Sequence, residues 1–190
     1  VPSKKWKKET LKESWYAGET LNAAIGQGYS LSTPLQLAVM TARIASNGKK
    51  IEPTIFIRKE KKEFDQIKNI SKHIELIKKA MFKVVNESRG TANYSLINSQ
   101  LLRKSDKYLF SGKTGTSQVK KITLAERESE DFGKKEIKWK EMDHALFVGY
   151  MPSINPKYAV SVVIEHGGSG AKTAAPIAKR IFDYIHELKI

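Results

Sequence analysis

Lys113, Thr114, Gly115 and Thr116 stand in a row within YLFSGKTGTSQV, offering an ammonium, two hydroxyls and a stretch of backbone with little side-chain cover. On an edge strand such a set could hold a carboxylate through charge-assisted hydrogen bonds. Its free N–H groups could polarise an amide carbonyl. Glycine at the third position lets a ligand approach the main chain closely.

Other constellations carry less. His73, His144, His166 and His186 show no metal-ligand spacing and are read as solvated or packed side chains. Glu126, Glu128, Glu130 and Asp131 fall in a charged loop, where ion-paired solvation is the natural reading. Gly26-Gln27-Gly28 is no phosphate loop, because no lysine and helix follow at the required spacing. No metal or cofactor is expected.

With 190 residues the chain can bury one sizeable core, which predicts a single domain or part of one. The net charge of +14, carried mostly by lysine, would attract polyanions without selecting among nucleic acid, anionic lipid and acidic wall polymer. Trp6 and Trp15 lie among lysines, but no basic helix or stacking platform accompanies them, so nucleic acid is not an expected partner. The absence of cysteine excludes disulfides and thiolate metal sites. No apolar run is long enough to span a bilayer. The chain opens at Val1, which predicts a fragment or processed piece with any membrane anchor upstream.

The elements that must position the motif follow from periodicity. Residues 1–14 read as an irregular lead-in, and residues 15–30, with Gly18, Gly26 and Gly28, as a turn-rich loop anchored by Leu21 and Ile25. Ser32-Thr33-Pro34 starts a helix that ends at Asn47-Gly48 and is apolar enough to be mostly buried. Residues 51–57 read as a peripheral strand containing Pro53, and residues 58–70 as a charged connection. Ile74, Ile77, Met81, Phe82 and Val85 recur at helical spacing over 71–86. The motif strand comes next, then a long charged loop at 120–143. Strands at 145–150 and 158–165 form a hairpin around Pro152 to Pro156. After a glycine corner at 166–170, a last helix from about Thr173 is apolar at Ile177, Ile181, Phe182, Ile185 and Leu188. Helices, then strands in series, then a helix predict an α+β fold with an antiparallel sheet flanked by helices.

Lys-Thr-Gly is also one of three short motifs of the penicillin-binding proteins and serine β-lactamases. The run WYAGETLNAAIGQG, followed by STPLQLA, resembles nearly position for position the stretch downstream of the second motif in class B penicillin-binding proteins. Gly90-Thr91-Ala92, the strand ending in Gly149-Tyr150 before Pro152, and the Gly167-Gly168 corner match as well. Only residues 58–70 and 120–143 carry no such signal. The pattern of Trp15, Tyr16, Gly18, Glu19, Thr20 and Asn22 looks most like the elongation-specific group.

The resemblance implies a penicillin-binding, serine β-lactamase-like transpeptidase fold, with a serine nucleophile and a lysine in Ser-x-x-Lys at the start of a buried helix upstream of the strand, and a Ser-x-Asn element. Ser-x-x-Lys occurs here at Ser46/Lys49, Ser117/Lys120 and Ser169/Lys172, and Ser-x-Asn at Ser153-Ile154-Asn155. Lysine is abundant, so short matches arise by accident and structural context has to decide. Ser46 falls at a helix end, Ser117 follows the strand motif itself, Ser169 lies in a glycine corner and Ser153 in a hairpin turn. All four are read as coincidence. Residues 1–190 are then the C-terminal half of the domain, with the nucleophile serine outside this chain. It implies a D,D-transpeptidase cross-linking peptidoglycan stem peptides and inhibited by β-lactams. Lys113 would supply positive potential and assist proton traffic, while Thr114 and Thr116 hydroxyls would hold the terminal carboxylate. The Thr116 N–H would form half of an oxyanion hole, and Gly115 would keep the strand edge open. An anchored enzyme in the bacterial inner membrane, facing the periplasm with scaffold and glycosyltransferase partners, follows by the same resemblance. Two other readings share the residues: an inactive penicillin-binding-like scaffold, and a β-lactamase or penicillin sensor. The intact Lys-Thr-Gly-Thr argues against the first and the segment from Trp15 to Ala38 against the second.

Overall fold

The computed structural model describes residues 2–56, 62–93, 109–120, 128 and 137–188. They divide into two compact units, Val1–Thr33 and Pro34–Ile190.

In the first unit, the Ser3 hydroxyl accepts the Trp6 N–H at 3.1 Å and starts helix α1, Lys4–Thr10. A second helix, α2, spans Ala17–Ala24, with the Glu19 carboxylate reaching back to the Tyr16 N–H at 2.8 Å. Both replace expected irregular structure. Glutamate three residues into a helix satisfies a donor that would otherwise be orphaned, and the glycines at 26 and 28 take left-handed backbone only after the helix has ended. Leu21 and Ile25 are not anchors, being 73% and 71% exposed. What is buried is Lys7, whose ammonium lies 2.6 Å from Glu19 and 3.3 Å from Glu13, over the rings of Tyr16 and Tyr29.

The second unit is built on a three-stranded antiparallel sheet: β1 (Ser111–Ser117), β2 (His144–Met151) and β3 (Tyr158–Ile164), in that order. Among the described residues β1 is therefore an edge strand, as the motif requires. Alternation along β2 divides its side chains between the two faces. Ala145, Phe147 and Met151 join Val162 and the C-terminal helix α5 (Ala175–Glu187) in one cluster with Phe110 and Phe182. Tyr150 points the other way, into a cluster with Ala45 and Met81. These two residues come from helices α3 (Pro34–Ala45) and α4 (Ser71–Asn86). Both helices match the predicted spans, and Asn47 and Gly48 turn left-handed after α3.

Three further expectations change. Helix α3 fully buries only Thr41 and Ala45, while Leu35 and Met40 are exposed, because one flank meets β2 and β3. Residues 51–56 form no strand. Pro53 cannot donate to a ladder, and Ile55 and Phe56 stand 92% and 78% exposed. The last helix begins at Ala175 behind a π turn, Gly170–Ala174. It meets the sheet through Ala175, Ala178 and Phe182, leaving Ile177, Ile181 and Leu188 partly exposed. Most of the charged loop at 120–143, residues 58–61 of the earlier connection, and Ile57 of the expected strand lie outside the described residues.

Candidate active-site wall

Strand β1 owes its position to glycines and a ring. Any Cβ on Gly112 would collide with the buried Phe147 ring, and one on Gly149 would come within 2.8 Å of it. The Phe147 ring therefore fills the space that side chains at positions 112 and 149 would need. At the start of β1, the Asn86 amide donates to the Phe110 carbonyl at 3.0 Å and to its own helix at Phe82. Buried Ser111 shares a 2.8 Å hydrogen bond with Ser153, and the Ser153 N–H donates to the Leu109 carbonyl. Burial pushes the Tyr150 phenol up, with the Ser111 hydrogen bond pulling the other way.

The four candidate residues occupy the middle of this strand. Register against β2 pairs Lys113 with Val148, Thr114 with Phe147, Gly115 with Leu146 and Thr116 with Ala145. Side chains alternate, so Lys113 lies on the Tyr150 face and Thr114 and Thr116 on the Phe147 face. The ammonium nonetheless comes round the free edge. It donates to the Thr114 carbonyl at 2.8 Å and stands 3.4 Å from the Thr114 hydroxyl. That carbonyl thus faces outward. Main-chain groups of an antiparallel strand alternate between its two edges, so the Thr116 N–H faces outward too. Lys113 and Thr116 are exposed and Thr114 half-buried. No carboxylate among the described residues forms an ion pair with Lys113. The wall can offer one ammonium, hydroxyl donors and an N–H to an anionic ligand.

Gly115 is constrained from behind. A Cβ there would stand 3.2 Å from that of Leu146, and a Cβ on Gly170 would strike the carbonyl oxygens of Gly115 and Leu146. The π turn leading into α5 therefore rests on bare backbone of β1 and β2.

Among the remaining candidates, Ser46 donates to the Arg43 carbonyl at 3.2 Å, and Ser169 accepts the Lys172 N–H at 3.3 Å. Ser117 is exposed at the strand end. The His166 ring meets that of His144 edge-on and is tilted against Trp139, and the His166 backbone N–H donates to His144 Nδ1 at 2.9 Å. Among the described residues no three metal-ligating side chains gather. Of the acidic cluster only Glu128 is described, and it is exposed. One contact was not foreseen. The Thr91 hydroxyl lies 2.9 Å from that of Thr114.

The family model for the penicillin binding protein transpeptidase domain matches residues 4–183. The peptidoglycan D,D-transpeptidase MrdA of Haemophilus influenzae is 32% identical over 194 residues, covering 97% of this chain and 28% of that protein. A structure described as a complex between penicillin-binding protein PBP2 and MreC from Helicobacter pylori superposes with a TM-score of 0.79 at 28% identity, covering 98% of this chain and 31% of that one. Pseudomonas aeruginosa PBP2 in complex with WCK 5153 gives 0.69 at 35% identity, over 96% and 35% of the two chains. The chain thus spans about a third or less of these relatives.

Proposed function

Because the chain belongs to the penicillin binding protein transpeptidase domain family, we propose that it is the C-terminal half of one transpeptidase domain in an elongation-type peptidoglycan D,D-transpeptidase. The observation that carries the reading is the outward edge of β1, with Lys113, the Thr114 hydroxyl and the Thr116 N–H on one open rim. Exposed Leu35 and Met40 on α3 fit a domain whose other half covers them.

In this reading a serine from the other half attacks the penultimate D-alanine carbonyl of a stem peptide. Terminal D-alanine leaves as the acyl-enzyme forms, and an amine of a neighbouring stem then takes the acyl group. Thr114 and Thr116 hydroxyls hold the terminal carboxylate in the field of Lys113. The Thr116 N–H stabilises the tetrahedral oxyanion, a donor whose loss typically costs roughly 10²–10³ in rate. β-Lactams enter as carboxylate-bearing acylating agents. Membrane anchorage, a periplasmic catalytic domain, and scaffold and glycosyltransferase partners belong to the same proposal.

The test is Lys113→Ala in the full-length protein, read by covalent labelling with a fluorescent penicillin. Labelling should vanish while the circular dichroism spectrum stays unchanged. Undiminished labelling would overturn the assignment.

A further inference from the structure

We propose that Thr91 is a positioning residue that sets the direction in which the Thr114 hydroxyl donates. The inference rests on the reading of β1 as a carboxylate-binding wall.

A threonine hydroxyl has one proton to give and two lone pairs to fill. The Lys113 ammonium can only donate, and it stands 3.4 Å from the Thr114 oxygen. The Thr91 oxygen lies 2.9 Å from that same atom. If Thr91 donates, both lone pairs of Thr114 are occupied and its single proton is left pointing at the ligand. If Thr114 donated to Thr91 instead, it would present only acceptor character to an incoming carboxylate, which also only accepts. A bound carboxylate therefore selects the chain Thr91 O–H to Thr114 O–H to carboxylate. Each link polarises the next.

Thr91 is held where this requires. Its neighbour Ala92 is fully buried and donates its N–H to the Val84 carbonyl at 3.0 Å. On the other side, the Gly90 N–H donates to Glu87 at 2.9 Å, and a Cβ on Gly90 would collide with the Val84 carbonyl. The end of α4 and the turn after it thus fix residue 91 between two anchors, and α4 itself packs against β1. The hydroxyl is exposed and its partner half-buried, so the effect is a matter of orientation and modest in size.

The experiment uses the full-length protein carrying Thr91→Val, Thr91→Ser or Lys113→Ala. Acylation rates are measured for a penicillin and for the same penicillin with its carboxylate masked as a methyl ester. Valine keeps the shape and removes the donor. It should slow acylation by the free acid by about 3- to 10-fold, the size of one hydrogen bond, while the ester rate changes little. Serine should restore the free-acid rate. Equal slowing with acid and ester would mark Thr91 as structural only and overturn the inference. So would an unchanged free-acid rate in Thr91→Val beside an inactive Lys113→Ala. Full labelling of Lys113→Ala would bring down the site reading and the inference together.

Discussion

Around Phe147 burial is carbon against carbon, whereas within residues 1–33 the hidden side chain is Lys7, surrounded by two carboxylates and two aromatic rings. The sheet unit draws on the hydrophobic effect, which is non-directional and scales with area. Any sequence with the right alternation will do most of that work. The first unit draws on a charged group with particular partners at positions 13, 16, 19 and 29. Such a clasp holds only if each partner arrives, and a buried charge stripped of its partners is costly. The two regions should therefore fail under different insults.

The largest effect belongs to the sheet. Phe147→Ala removes the ring beneath Gly112 and Gly149 and should destabilise by about 3–5 kcal/mol. The melting temperature should fall by about 6 °C or more, and a smaller fall in calorimetry would mean that the sheet collapses around the gap. Next comes Gly170→Ala, whose methyl strikes two main-chain oxygens. A cost of about 1–3 kcal/mol is expected from overpacking, with penicillin labelling slowed because β1 must shift. Unaffected labelling would show that the turn yields instead of the strand.

The clasp should answer to acid where the sheet does not. Hydrogen bonding to Glu19 holds the Lys7 ammonium above its ordinary 10.5, against burial, and the same bond followed by the Tyr16 N–H holds the Glu19 carboxyl below its ordinary 4.5. A lowered carboxyl stabilises above its unfolded value and loses that contribution as pH falls through the lower folded one. A raised ammonium stabilises below 10.5 and loses its contribution as pH rises through the higher folded one. Hydrogen exchange in the full-length protein, corrected for intrinsic rates, should show α1 and α2 losing protection below about pH 4.5 while β2 keeps its own. Lys7→Met should flatten that dependence, and a dependence that persists would place its origin elsewhere. The smallest effect is expected at the exposed pair Lys5–Glu9, 3.9 Å apart on α1. Glu9→Gln should change stability by no more than about 0.5 kcal/mol.

The same contrast explains what could be read from the residues alone. The hairpin of β2 and β3 and the span of α4 were legible because alternation and helical spacing report burial directly. Helices α1 and α2 were not, since Gly18, Gly26 and Gly28 look like turns and the organising contacts join residues up to 22 positions apart. The apolar run at 51–57 carries strand composition, yet a strand needs a partner that composition cannot supply. At the site, Lys113 to Thr116 announce themselves as contiguous chemistry. Thr91 does not, because its relation to Thr114 exists only once α4 has packed against β1.

The seat of Gly170 on Gly115 and Leu146 has a mechanical consequence. Side chains can switch rotamers and absorb a displacement, but two main chains in direct touch have nothing soft between them. The strand bearing Lys113 is thus backed by a rigid stop on the α5 side. Heat or repacking deeper in the Phe147 cluster would shift turn and strand as one body, with little change in the gap between them. Compliance is left to the outer rim, where small hydroxyl and ammonium groups can adjust to ligands of different shape.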